Sequence, residues 1–290
     1  MNSARPNPAT FLSGDAGDVT SPWRGTKRRI GELAYGALDT LSGTRRRAAR
    51  LARTHAPQRD VLVIGVYRPG SLLAEALPAL LSDRHQVRIA LGSTGPADEP
   101  LGEHTVAEGL TGGKFENLNR VLEAAGAPGD ADWTMAIDDD VRVPRAFLDR
   151  FVGVCEAFEL DLAQPAQTLR SHSAWKVTRR RPATLVRETR FVEIGPVTAF
   201  GRAAAAKLLP FPELRYGWGL DLHWAAVAAE CGWRLGVVDA LPVRHEFGLV
   251  AAAYARQDAV DEAARFLAER PYLPSERAGD VVAVHRRLRS

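Results

Sequence analysis

The stretch "WTMAIDDDVRVP", Trp133 to Pro144, decides the fold. Its first half, Trp133 to Ile137, is a short apolar run suited to a buried strand. Three carboxylates follow at once: Asp138, Asp139 and Asp140. Adjacent like charges repel, so they need abundant water or a positive partner. A strand-end turn with Asp as a local cap would supply the water. A hard divalent cation, Mg²⁺ or Mn²⁺, would supply the charge, and three acids in a row favour it. Pro144 then suits the first turn of a helix running on to Leu160.

Working outward, the same alternation recurs. "VLVIGV" reads as a buried strand, "SLLAEALPALLSD" as a helix shortened by Pro78, and "QVRIALGS" as a second strand. "GGKFENLNRVLEAAG" reads as a glycine turn followed by a helix, and "DLAQPAQ" as one more strand. Strand and helix in this order predict an α/β fold whose mostly parallel sheet is flanked by helices. Past Gln167 the segment "SHSAWKVTRRRPATLVRETR" has no period, and its arginines read as a solvated basic loop or as a flap over an anion. Then come a strand kinked at Gly195-Pro196, a short helix "RAAAAKLLP", the helix "GLDLHWAAVAAECG", strand material to His245, and a helix that Pro271 ends.

Upstream of this body the chain changes character. Residues 1–23 are polar and rich in Pro and Gly, and read as a disordered leader. Residues 24–57 form a basic amphipathic helical extension with Ile30, Leu33, Ala34, Ala37, Leu38 and Leu41 on one face. This helix either docks its apolar stripe on the body or lies on anionic lipid. Arg24 to Arg53 holds nine Lys/Arg against Glu32 and Asp39, +7 in a chain of net charge +3, so the remainder is −4. The basic character belongs to the extension, and no nucleic-acid partner is expected. The body is assigned to 58–250 and a helical tail to 251–290.

With 46% apolar residues the chain can hold a proper core. Cys155 and Cys231 read as reduced core thiols. No apolar run is long enough to span a bilayer, and the N-terminus lacks a secretory pattern. The expected location is cytoplasmic, with a peripheral membrane contact through residues 24–53.

Ligands of open α/β sheets gather at the carboxyl ends of strands, where the acidic triplet sits. Lys114 on its glycine turn suits an anion at a helix start. Asp221 reads as a helix cap or as a base. His245 reads as a structural residue or a third metal ligand, and Trp218 as packing of the turn before the Asp221 helix.

The order of these pieces resembles the family-2-like glycosyltransferases of GT-A fold. "AIDDDV" is similar to their Asp-x-Asp motif and "GGKFENLN" to their glycine-lysine-asparagine segment. "FVEIGPVTAFGRAAAAKLLPFPELRYGWGLDLHWAAVAAECGWRLGVVDALPVRHE" is similar to their second half. The resemblance spans about residues 60–250. It implies a Rossmann-like sheet, a nucleotide-diphosphate sugar, and a carbohydrate or other hydroxyl acceptor. By position it implies Asp140 and His245 on the metal, and Lys114, Asn117, Asp138, Asp139 and Trp218 on the nucleotide sugar. Asp221 becomes the base of an inverting, single-addition transfer. Leu220 replaces the acid that usually precedes that base, and "LGSTGP" carries no acid after the second strand. Other readings are a non-catalytic scaffold of the same fold and a sugar-nucleotide nucleotidyltransferase.

Overall fold

A computed structural model describes residues 22–55, 57–126, 130–171, 173–246 and 255–288, with residues 22–24 as backbone only. Two helices lead, α1 (Pro22–Leu41) and α2 (Thr44–Thr54). The body follows as β1 (Asp60–Tyr67), α3 (Leu73–Leu80), β2 (Gln86–Ser93), β3 (Thr105–Ala107) and α4 (Lys114–Ala125). Then come β4 (Trp133–Asp138), β5 (Val141–Arg142), α5 (Phe147–Ala157), β6 (Leu162–Gln167), β7 (Val186–Thr189) and β8 (Val197–Gly201). The chain ends with α6 (Arg202–Leu208), α7 (Leu220–Cys231), β9 (Leu235–His245), α8 (Arg256–Ala268) and β10 (Val281–His285).

The strands form one sheet in the order β10-β7-β9-β6-β8-β4-β1-β2-β3, with β5 beside β9. β1 to β4, β6, β9 and β10 share one direction, and β5, β7 and β8 oppose it. The sheet is therefore mostly parallel, as the alternation of strand and helix predicts. Side chains of a strand alternate between faces, so β1 feeds two cores. Leu62 and Ile64 pack with Phe115 of α4, Trp224 of α7 and Ala263 of α8. Val61 and Val63 pack with Leu51 of α2, Leu77 of α3 and Phe151 of α5. Both faces are covered, which is why β1 reads as a continuous apolar run. Each such large side chain stabilises the fold by about 1.5–3 kcal/mol when fully buried.

Several expectations need correction. The extension is two helices, because Gly43 adopts a left-handed φ of 72° and ends the first. α5 starts at Phe147 rather than at Pro144. The tail is not helical throughout: β10 pairs antiparallel with β7 and extends the sheet. Neither strand shows a clear period, because each finds its partner far along the chain. Cys231 is exposed, while Cys155 is buried and its thiol is pushed well up by burial. The leader up to residue 21 and the boundary near 250 lie outside the described residues, and Pro22 already belongs to α1. Among the described residues no helix is long and apolar enough to cross a membrane.

Candidate functional site

β4 delivers the acidic triplet to the carboxyl edge of the sheet. The Asp138 N–H donates to the Pro196 carbonyl at 2.8 Å, which fixes the strand end. The chain then turns, and β5 pairs with the end of β9, Val141 opposite His245. The Glu246 N–H closes this ladder on the Asp140 carbonyl at 2.9 Å. The pairing sets His245 Nε2 at 3.0 Å from Asp140 Oδ1. Asp138, Asp140 and His245 each offer a ligand atom, and these atoms lie within 4.8 Å of one another.

The electrostatics follow from that geometry. Burial opposes the charge of Asp140, but the hydrogen bond and charge of His245 outweigh it and hold the carboxyl below its ordinary range. Burial likewise opposes the His245 imidazolium, and Asp140 outweighs it, raising the imidazole pKa. Asp138 is pushed up by burial, against the pull of Lys114. Lys114 Nζ sits 2.5 Å from Asp138 Oδ1 and donates to the Ile194 carbonyl at 3.0 Å.

Lys114 opens α4, and Glu116 caps that helix by accepting the Gly113 N–H at 2.6 Å. A side chain at Gly113 would meet the Arg215 carbonyl oxygen at 2.0 Å, so only glycine lets the turn approach so closely. Gly195 has the same role beneath the acids: a Cβ there would lie 2.8 Å from Asp138 Oδ2 and 3.0 Å from Lys114 Nζ. The result is a cleft of about 280 Å³ whose walls include Thr94, Lys114, Asn117, Asp138, Asp140 and His245. Asp139 also borders it, but its carboxylate is held in a fork by Arg68, with Nε at 2.9 Å and Nη2 at 3.1 Å. Each acid of the triplet thus has its own cationic partner.

Two of the expected site residues lie off these walls. Trp218 packs into the core with only 7% of its surface exposed, its ring 6.0 Å from the Arg256 guanidinium. The turn before α7 buries most of it. Asp221, in the first turn of α7, is 5% exposed. Burial, and then the charge of Glu193, push its carboxyl up to about 8, while the Trp175 side chain hydrogen-bonds to it.

Glu193 is the residue the sequence reading missed. Burial raises its carboxyl to about 7, and it accepts the Gln167 Nε2–H at 2.8 Å and the Ala174 N–H at 3.3 Å. Successive residues, Ala174 and Trp175, therefore serve the half-buried Glu193 and the buried Asp221. Glu193 also precedes Ile194, whose carbonyl accepts from Lys114, and its charge acts on Asp221. The signal was an acid inside "FVEIGPVTAF", an otherwise apolar stretch. The acid missing at Leu220 thus has a spatial counterpart from another part of the chain.

Within the arginine segment Arg180 and Arg187 are neither on a flap over the cleft nor solvated, whereas Arg181 is exposed. Arg187 is buried and forks onto Asp239 at 2.7 and 2.9 Å, and Arg180 is buried between Glu32 and Asp39. Arg179 donates to Ser173 at 3.2 Å. Internal acids claim Arg180 and Arg187 because a buried cation without a partner is too costly.

Two carboxylates and an imidazole converging at one strand end fit a divalent cation of the Mn²⁺ type. Asp138 joins Asp140 and His245 in that group, beyond the ribose or base contact implied for it.

No family model matches the sequence, and no curated protein matches it. Among solved structures the chain is similar to GalNAc-T7 with UDP, GalNAc and Mn²⁺, at 13% identity and a TM-score of 0.49, over 66% of this chain and 44% of that one. It is also similar to S. aureus TarS 1-349 in complex with UDP-GlcNAc, at 14% identity and a TM-score of 0.45, over 68% of this chain and 62% of that one. In both cases the chain spans less than two thirds of the solved structure it matches.

Proposed function

We propose that this chain is a GT-A-type glycosyltransferase with family-2-like motif order. It moves a sugar from a nucleotide-diphosphate donor to the hydroxyl of a carbohydrate or other acceptor, one sugar at a time and with inversion. The observation that carries the reading is the meeting of Asp138, Asp140 and His245 beside Lys114 and Asn117 in one cleft. A divalent cation held there supplies charge neutralisation for the departing diphosphate. Lys114, with the free N–H groups opening α4, adds a fixed positive field for the same oxygens. Asn117 lines the nucleotide side.

Asp221 takes the proton of the acceptor hydroxyl. That oxygen bonds the anomeric carbon while the bond from the carbon to the diphosphate oxygen breaks on the opposite face. A carboxyl raised to about 8 is a stronger base than an ordinary carboxylate once ionised. Glu193 is the neighbouring acid whose charge helps to raise the Asp221 carboxyl. Two thiols with no disulfide suit a reducing, cytoplasmic setting.

The test is a panel of nucleotide sugars with Mn²⁺, read by thermal stabilisation and by release of nucleoside diphosphate. Binding with no turnover would give the fold to a scaffold. Pyrophosphate released from a nucleoside triphosphate plus a sugar phosphate would give it to a nucleotidyltransferase. Either result removes the proposed reaction.

A further inference from the structure

α1 is an amphipathic helix mounted with its polar side inward. Glu32 and Asp39 face the body, where both bind the buried Arg180. Asp39 also accepts the Ala183 N–H at 2.7 Å, and Glu32 accepts the Leu169 N–H at 2.9 Å. Tyr35 joins this side, 5.9 Å from the Arg180 guanidinium. The apolar stripe is left outside: Ile30 is 63% exposed, Leu33 75%, Leu38 46% and Leu41 84%. Ala34 and Ala37 complete that exposed face. The arrangement overturns the expectation of an apolar stripe docked on the body and a basic face in solvent.

The charges around the stripe have one sign. Lys27 and Arg29 on α1, and Arg45, Arg46, Arg50 and Arg53 on α2, are all exposed. Arg45 lies against the flank of α1 at Gly36. The segment's two acids are both consumed by Arg180, so none is left outside to offset the cations. An apolar ridge bordered by exposed cations is complementary to a surface with anions above and hydrocarbon below. We infer that the outward face of α1, with the α2 arginines beside it, binds an anionic lipid surface peripherally.

A second copy fits worse, because two such faces would bring their arginines together. Residues 1–21 have Met1, Phe11, Leu12 and Val19 as their large apolar side chains and offer little to cover the ridge. The loop under α1 also carries Ser171, whose hydroxyl takes the His245 N–H at 3.2 Å, so the lipid-facing helix and the cleft share a support.

The test uses the full chain and reads no sugar transfer, so its outcome stands apart from that of the proposed activity. The protein is sedimented with phosphatidylcholine vesicles and with vesicles holding about a third phosphatidylserine. Partitioning is expected to be at least about tenfold stronger on the anionic vesicles and to weaken as salt rises. The double variant Leu33→Asn/Leu41→Asn is expected to lose about tenfold or more while its thermal melt stays in place. Arg46→Gln and Arg50→Gln are each expected to lose about fivefold. Equal partitioning on both vesicles, no partitioning, or binding indifferent to the double variant overturns the inference. So does a dimer, seen by light scattering without vesicle binding, that the double variant dissolves.

Discussion

The acidic triplet Asp138–Asp140 and the basic triplet Arg179–Arg181 present the same problem of adjacent like charges, and the fold solves it in two ways. The acids stand at a strand end beside open space, and each receives a separate cation: Lys114, Arg68 and His245. Of the basic run, Arg180 is drawn inward onto Glu32 and Asp39, and its neighbour Arg187 onto Asp239, while Arg181 stays exposed. Arg187 forks onto Asp239 and donates to the Val177 and Arg179 carbonyls as well, so its donors are committed inside the fold. A carboxylate held by one lysine or one imidazole at a cleft wall keeps lone pairs for a metal. Whether a run of charge becomes a site or a strut depends on what remains unsatisfied.

Breaking the strut is expected to have the largest effect. Arg187→Ala strands Asp239 in the core and should cost about 3–5 kcal/mol in denaturant unfolding. Any nucleotide affinity of the folded fraction should persist; loss of affinity at unchanged stability would move Arg187 into the site. Next, Asp221→Asn should lower transfer on the order of a thousandfold while nucleotide-sugar binding stays within a few fold. Transfer at the wild-type rate would take the base role away from Asp221. Asp140→Ala should weaken Mn²⁺-dependent nucleotide binding about a hundredfold by calorimetry, and chelation of the metal should mimic it. If neither changes binding, the acidic triplet is only a turn.

The pH dependence sharpens the contrast. Asp221 lies at about 8 against an ordinary 3.8, so transfer should climb with pH and level off above about 8. The folded state holds this proton across that interval and the unfolded chain does not. The group's stabilisation is therefore full below about 3.8 and is lost as pH rises through 8. Asp221→Asn should flatten that decline, which melting curves at acid and alkaline pH would show. The smallest effect belongs to Arg68→Ala: the Arg68–Asp139 pair is exposed on the arginine side, and its loss should cost within about 1 kcal/mol.

Much of this was legible in the chain. Apolar runs such as "VLVIGV" and "WTMAI", with helical segments between them, dictated the α/β order and placed Asp138 to Asp140 at a strand's carboxyl end. The glycine turn before Lys114 announced a helix start beside them. Glu193 was not legible as a partner of Asp221, because nothing in local pattern links one acid to another on a different element. β7 and β10 were missed for the same reason: β7 is placed by β9 and β10, and β10 by β7, all distant from one another in sequence.

Sequence by itself determined the main alternation of strand and helix, though not β7 or β10, and that like charges cluster at 138–140 and 179–181. Periodicity and charge are local properties that each segment carries alone. Only the tertiary structure decided that the apolar side of α1 faces outward, that Arg180 and Arg187 are struts, and that Asp138 and Asp140 meet His245. Those outcomes turn on which distant group arrives to satisfy a buried charge, and Coulomb attraction acts on distance in space, not along the chain.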